Sequence, residues 1–391
     1  MINFIRQDMA KESTALIFEK LLDYIQREKW CGFDPFDALN SPLLNRLFAK
    51  NRLAGVAIVQ LFKRSPVNLR PLFRVQPAIN SKGVGLYLSS LCRLYNTRYW
   101  DKKAALEAAD WLCTHRSPAS PYSAWGYPFD WPNRAFFAPA YTPTVVGTTF
   151  VAHSLLDIYA LTKHPPYLEH AISAGQFILY ELNRSNPQGP FCFSYTPVDH
   201  RFVHNANLLA AGLLSRLYGI SKAKELKEAA TLSTLFSLNA QNPDGRWPYG
   251  ISKQDSWIDH FHTAFNLLSL KQVSKYLDLS EVRQSMILGT DYYIQHFFDD
   301  FMPKYFHNRL YPVDIHSIAT AIIALLDLDF RKDQKQRAAK LVEWTKHHMR
   351  SPKGTFYYQY HGFYKNKIIY MRWGQMWMLY ALATFLANEM E

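Results

Sequence analysis

The sequence predicts an all-α protein: a single (α/α)6 barrel of helical hairpins around a central cavity. Three observations lead there. Apolar, small-residue-rich runs begin near Gly83, Thr144, His204, Asp259, Asp314 and Arg372, at spacings of 61, 60, 55, 55 and 58 residues, which is the length of a helical hairpin with its loops. Between these runs lie helices with a charged stripe, and a striped helix is peripheral where one apolar all round is buried. Polar and aromatic residues gather before each apolar run, where helix starts converge on one rim.

Residues 12–29 form the first outer helix, with Leu16, Ile17, Leu21, Leu22 and Ile25 on one face. Cys31 to Pro42 holds two Asp, two Pro and a Gly, which end that helix in turns. Residues 50–80 are basic, with Lys63, Arg64, Arg70 and Arg74 around Pro66 and Pro71, and read as a solvated face or as a patch for an anionic group. The remaining outer helices are Asp101 to His115, Tyr167 to Asn183, Lys222 to Asn239, Glu281 to Phe298 and Gln334 to Met349. Inner runs such as Ala319 to Leu326 have almost no polar side. Counting six of each kind favours a closed ring, with an open α-solenoid as the structural alternative. The chain is then one domain, 1–391, in which 1–81 completes the ring and 82–391 supplies the repeats.

The net charge of +12 suits an acidic partner: nucleic acid, an anionic membrane surface or an anionic carbohydrate. There is no run of five or six Lys or Arg and no zinc-finger, helix-turn-helix or Gly-rich phosphate motif, so nucleic acid is not expected. Cys31, Cys92, Cys113 and Cys192 form no CxxC pair and read as free thiols. No metal or cofactor is expected. The opening residues lack a basic start with a long apolar centre, and no uninterrupted apolar stretch of about 18 residues occurs. A cytoplasmic protein with no transmembrane segment is the expectation.

The segment Ser256 to Thr263 is the most chemically loaded, with Asp259, His260 and His262 at the start of an apolar run. Asp259 and Asp314 fit helix N-caps as well as chemistry. His260 and His262 stand two apart and diverge by about 200° on a helix, so one is expected in the cavity and one in packing. His204 and His316 occupy similar positions in neighbouring repeats. The candidate catalytic residues are Asp259, His260, His262, Asp199 and Asp130. Candidate sugar contacts are Trp125, Tyr127, Tyr195, His204, Asn205, Trp247, Tyr249, Trp257, His316, Arg372, Trp373 and Gln375, because aromatic faces stack on sugar rings and amides and guanidinium groups bond hydroxyls or carboxylates.

Gly32 to Asp37, Trp125 to Pro128, Asp244 to Tyr249, Trp257 to Thr263 and Arg372 to Trp377 together resemble α/α-toroid proteins encoded in bacterial exopolysaccharide and capsule gene clusters. Arg372-Trp373-Gly374 is also similar to the last inner helix of six-hairpin glycosidases such as the unsaturated glucuronyl hydrolases. The resemblance implies an (α/α)6 fold and a carbohydrate role. In the glucuronyl hydrolases an Asp is the general acid, for which Asp130, Asp199 and Asp259 are the candidates here. No Glu stands in any rim motif.

Three functions follow. A glycoside hydrolase acting on an acidic glycan, a surface polysaccharide or its lipid-linked precursor would use Asp259 with Asp199 or Asp130. A uronate lyase or epimerase would abstract a proton with His260, His262, Tyr195 or Tyr249 and hold the enolate charge with Arg372, Asn205 or Gln375. A non-catalytic protein would bind a glycan or scaffold a glycosyltransferase in a polysaccharide assembly complex.

Overall fold

The computed structural model describes residues 13–133, 135–328 and 333–390. Fourteen helices dominate it, and the strands are two residues long. The six inner helices are α4 (Ser81–Arg93), α6 (Val145–Thr162), α8 (His204–Ser221), α10 (His260–Ser274), α12 (Ile315–Asp327) and α14 (Trp377–Met390), the last opened by a π-helical segment, Met371–Met376. Each packs on the next and α14 returns to pack on α4, so the ring is closed and the open solenoid is excluded.

The outer layer is α1 (Thr14–Arg27), α5 (Lys102–Thr114), α7 (Pro165–Glu181), α9 (Lys224–Asn239), α11 (Ser280–His296) and α13 (Gln334–His348). Its register follows from ordinary helix punctuation. The Ser13 hydroxyl caps α1 and the Asp101 carboxylate caps α5, while Pro165 and Pro166 open α7, where a missing N–H costs nothing. α1 lies against α14, so an N-terminal helix covers the last inner one. Burial separates the layers as the polar stripes require. Every residue from Ile315 to Leu326 of α12 is buried, whereas α9 buries only Ala229, Ala230, Ser233, Thr234 and Ser237.

α6 has the length and mean apolarity of a membrane span. In this fold it is packed between α4 and α8 and beneath α7, with 61% of it buried.

Residues 31–80 hold two helices that the sequence reading did not place. They contain α2 (Pro42–Phe48) and α3 (Arg52–Arg64), which fold with the chain that follows around a small core of their own: Ala38, Leu39, Leu44, Val59, Phe62 and Val75. This cap is tied to the rim by side chains. Asn45 donates to Asp130 (2.8 Å) and Arg52 to the Ala135 carbonyl (2.6 Å). Of the four basic residues read as a solvated face or an anion patch, Arg70 is instead fully buried, donating to Asp37 (2.7 Å), to the Asp34 carbonyl and to the Tyr370 hydroxyl. Lys63 is half-buried over the Phe36 and Trp373 rings, while Arg64 and Arg74 are exposed.

Candidate functional site

All six inner helices begin at one end of the ring, and a cavity of about 1450 Å³ opens there. A single rule of register builds its floor. The second residue of every inner helix lines it: Lys82, Val146, Asn205, Phe261, His316 and Arg372. None of the first residues does; Ser81, Val145, His204, His260, Ile315 and Met371 turn away. The positive ends of six helix dipoles therefore face the cavity, beside Lys82, Arg372 and Arg201, and favour negative charge inside it.

The loaded segment divides as the 100° turn per residue demands. Asp259 caps α10 through Oδ1, which accepts from the His262 N–H (3.0 Å), and its Oδ2 holds His262 Nδ1 (2.8 Å). That fixes the ring and leaves Nε2 on a side chain 20% exposed in the cavity. His260 points the other way, to the Tyr293 hydroxyl (2.8 Å), and burial pushes its pKa down to about 3.

His316 is the second cavity histidine. It is buried, and neither ring nitrogen has a hydrogen-bond partner. Its ring centroid is 4.7 Å from Phe261 and 5.9 Å from Phe265, while that of His262 is 4.2 and 6.3 Å from the same two rings. Burial first, then the positive charges of Lys82 and Arg372, push the His316 pKa well below the usual range, so the ring is neutral. A buried donor and acceptor without partners are expensive, and a ligand carrying hydroxyl and carbonyl groups would satisfy both.

Arg372 is aimed by Asp34, which takes Nε and Nη2 as a fork at 2.6 and 2.8 Å. Asp34 is itself held, its amide donating to Asp37, the partner of Arg70. The Lys82 ammonium lies over the Phe150, Phe265 and Trp377 rings at 4.2 to 5.5 Å, and burial together with Arg372 pushes its pKa well down. Aromatic walls rise above this floor. Tyr249 and Trp257 stack at 4.1 Å, and the Tyr127 and Tyr195 hydroxyls meet at 3.3 Å. Trp373 donates to Asp314 (2.9 Å).

Of the residues singled out from the sequence, Asp199, Asp259, His262, Tyr127, Tyr195, Asn205, Tyr249, Trp257, His316, Arg372 and Trp373 line this cavity. Six others do not. Trp125 and Trp247 are buried between layers, their indoles donating to the Leu112 and Ser237 carbonyls. His204, first in its helix where His316 is second, bonds Ser237 and stacks on Phe236. Gln375 closes two hydrogen bonds with the Phe356 backbone, Asp130 holds the cap, and His260 faces α11. Lys82, Asp34, Phe261 and Phe265 were missed. For Lys82 the signal was present, since it stands one residue into its helix like Arg372 and His316.

The carboxylates in the cavity are all committed. Asp199 accepts from the Thr196 amide and hydroxyl and from the Arg201 amide. Asp255 pairs with Arg201 through both oxygens, at 2.5 and 3.2 Å, and Asp259 is taken by His262. Among the described residues no cluster of His, Cys, Asp and Glu has the geometry to hold a metal ion.

No family model matches the sequence, and no curated protein matches it. Solved structures do match its fold. The Lin0763 protein from Listeria innocua is 12% identical with a TM-score of 0.64, over 97% of this chain and 98% of that one. A cellobiose 2-epimerase from Bacillus thermoamylovorans is 12% identical with a TM-score of 0.61, over 80% and 88%. An unsaturated glucuronyl hydrolase specific for heparin is 15% identical with a TM-score of 0.56, over 81% and 89%. The chain has the α/α-toroid fold of these proteins.

Proposed function

We propose that the protein is a carbohydrate-active enzyme that moves a proton on the carbon beside a saccharide carbonyl or carboxylate, an epimerase or isomerase. The observation that carries this reading is the pairing, on one aromatic floor, of His262, oriented by Asp259 with Nε2 open, and the neutral, unpartnered His316. His262 Nε2 takes the proton, with Asp259 supplying the counter-charge to the imidazolium that forms. The electron pair moves onto the carbonyl oxygen, where Arg372 and Lys82 meet the developing negative charge and the neutral His316 N–H donates to it. Once the intermediate has turned its other face to His262, return of the proton from Nε2 to that carbon gives the epimer; return to the neighbouring carbon, with the proton of the adjacent hydroxyl passing to the former carbonyl oxygen, gives the aldose–ketose isomer.

Hydrolysis of an acidic glycan, the first function weighed from the sequence, has less support. It needs a carboxylic acid free to protonate the leaving oxygen, and Asp199, Asp255 and Asp259 already accept from neighbouring donors. The stacked walls of Tyr249 and Trp257 suit a saccharide of more than one ring, and the positive floor suits an anionic one, such as a unit of a surface polysaccharide.

The test is incubation with reducing disaccharides and uronate-containing oligosaccharides in D2O, followed by NMR. Deuterium entering the carbon beside the carbonyl, lost in His262→Asn and in His316→Asn, supports the reading. New reducing ends without deuterium exchange would favour hydrolysis in its place.

A further inference from the structure

The cap formed by residues 31–80 carries a surface that the cavity chemistry does not use. Among the described residues six leucines are exposed, and five of them, Leu43, Leu47, Leu53, Leu61 and Leu72, fall within these 50 residues, with exposed Val67 between them. Their spacing shows why. On α3, Val59 and Phe62 face the small core, Val56, Val59, Gln60, Lys63 and Arg64 border the cavity, buried Gly55 lies against Pro132, and Leu53, Ala57 and Leu61 face out. On α2, Leu44 is buried while Leu43 and Leu47, one turn apart, are exposed.

A second element adds to this face. Asn366, on the hairpin that pairs Gln359–Tyr360 with Lys365–Asn366, donates to the Ser65 carbonyl (3.0 Å) just beyond α3. The tip of that hairpin is Phe363, 90% exposed, with Lys367 exposed beside it.

The charge around these side chains is of one sign. From residue 38 to residue 100 the chain contains no Asp or Glu, and Arg46, Lys50, Arg52 and Arg74 are exposed among the leucines, with Arg64 exposed at the cavity edge. Aliphatic side chains interleaved with Lys and Arg match a bilayer interface, where apolar groups enter the acyl boundary and cations meet anionic headgroups. Single-stranded nucleic acid would ask for several aromatic platforms, and the exposed apolar side chains of this face are aliphatic but for Phe363.

We propose that the outer face of α2 and α3, with the loop that follows and the Phe363 hairpin, docks on an anionic phospholipid membrane. Because α3 is also a wall of the cavity, docking would bring the cavity mouth to the bilayer, within reach of a saccharide carried on a lipid. The proposal stands on this face alone and is independent of the reaction in the cavity.

The test is co-sedimentation of the full chain with vesicles of phosphatidylcholine, with and without phosphatidylglycerol, at low and raised salt. Binding to the phosphatidylglycerol vesicles that weakens with salt is expected. Arg46→Glu with Lys50→Glu should lower partitioning by at least about fivefold per residue. Leu47→Gln with Leu53→Gln and Phe363→Ser should lower it at least tenfold, about 1.4 kcal/mol, while melting temperature and cavity activity stay unchanged. These variants touch only exposed side chains outside the cavity. Failure to bind anionic vesicles at low salt overturns the proposal, as does binding that neither variant set weakens. A dimer in light scattering that the leucine variant dissolves would assign the face to a second copy instead, and equal salt-sensitive binding to single-stranded DNA would assign it to polyanions in general; either result overturns it.

Discussion

At the scale of single residues, the Asp259 carboxylate has two tasks, and one substitution separates them. It accepts from the α10 backbone at His262 N and from the His262 ring. Asp259→Asn keeps an amide oxygen for the cap, so stability should fall by no more than about 1 kcal/mol, but it removes the charge facing Nδ1 and permits the wrong tautomer. Solvent-exchange turnover should then drop by about a hundredfold or more, with the folded state intact by circular dichroism. Equal turnover in Asp259→Asn and the parent would show that the carboxylate is only a cap. Arg372 and Asp34 behave differently, because both are buried and each is the other's charge partner. Asp34→Ala leaves the guanidinium unpaired, at a cost of roughly 3 to 5 kcal/mol, read as a shift in urea midpoint at unchanged slope. A shift under about 1 kcal/mol would mean that the fork contributes little to the fold.

At the scale of elements, the barrel helices were legible because inner and outer helices differ in composition. Asp101 to His115 was expected and Lys102–Thr114 is found; Glu281 to Phe298 became Ser280–His296. α2 and α3 were not read as helices: α2 is only seven residues long, and the basic residues of α3 and the loop after it, with Pro66 and Pro71, drew the reading to charge rather than to periodicity. The location of the site, at the helix starts, was also readable. Which side chain faces in was harder, since His204 and His316 both open inner helices and a one-residue difference in register, first against second, separates packing from lining. Register is held by turns such as Asn242 to Gly245. Gly245 has φ +93°, and a Cβ there would sit 2.1 Å from the Leu288 carbonyl oxygen of α11. Gly245→Ala therefore combines strain with a backbone clash, and should cost at least about 2 kcal/mol in chemical denaturation. A neutral substitution would show that the loop before α10 shifts freely.

At the scale of the whole molecule, building a ring from polar helix starts leaves several histidines inside it. Burial pushes the pKa values of His153 and His260 down to about 3 and that of His204 down to about 4. Above about pH 6.5, the ordinary histidine value, these rings are neutral in both folded and unfolded chains and have no effect on pH dependence. Below it the unfolded chain binds protons that the folded chain refuses, so stability is lost as pH falls from about 6.5 toward the folded values. One pH unit below 6.5 each ring costs about 1.4 kcal/mol, roughly 4 kcal/mol for the three. Buried carboxylates oppose this. Burial raises the pKa values of Asp199 and Asp314, so their folded forms take up protons earlier than the unfolded chain and offset part of the loss. A difference measurement removes that offset. His204→Gln, which keeps a partner for Ser237, should shrink the loss between about pH 7 and about pH 5.5 by about 1.2 kcal/mol. Urea titrations of parent and variant at the two pH values decide it, and an unchanged pH difference would mean that His204 takes up its proton within the folded ring.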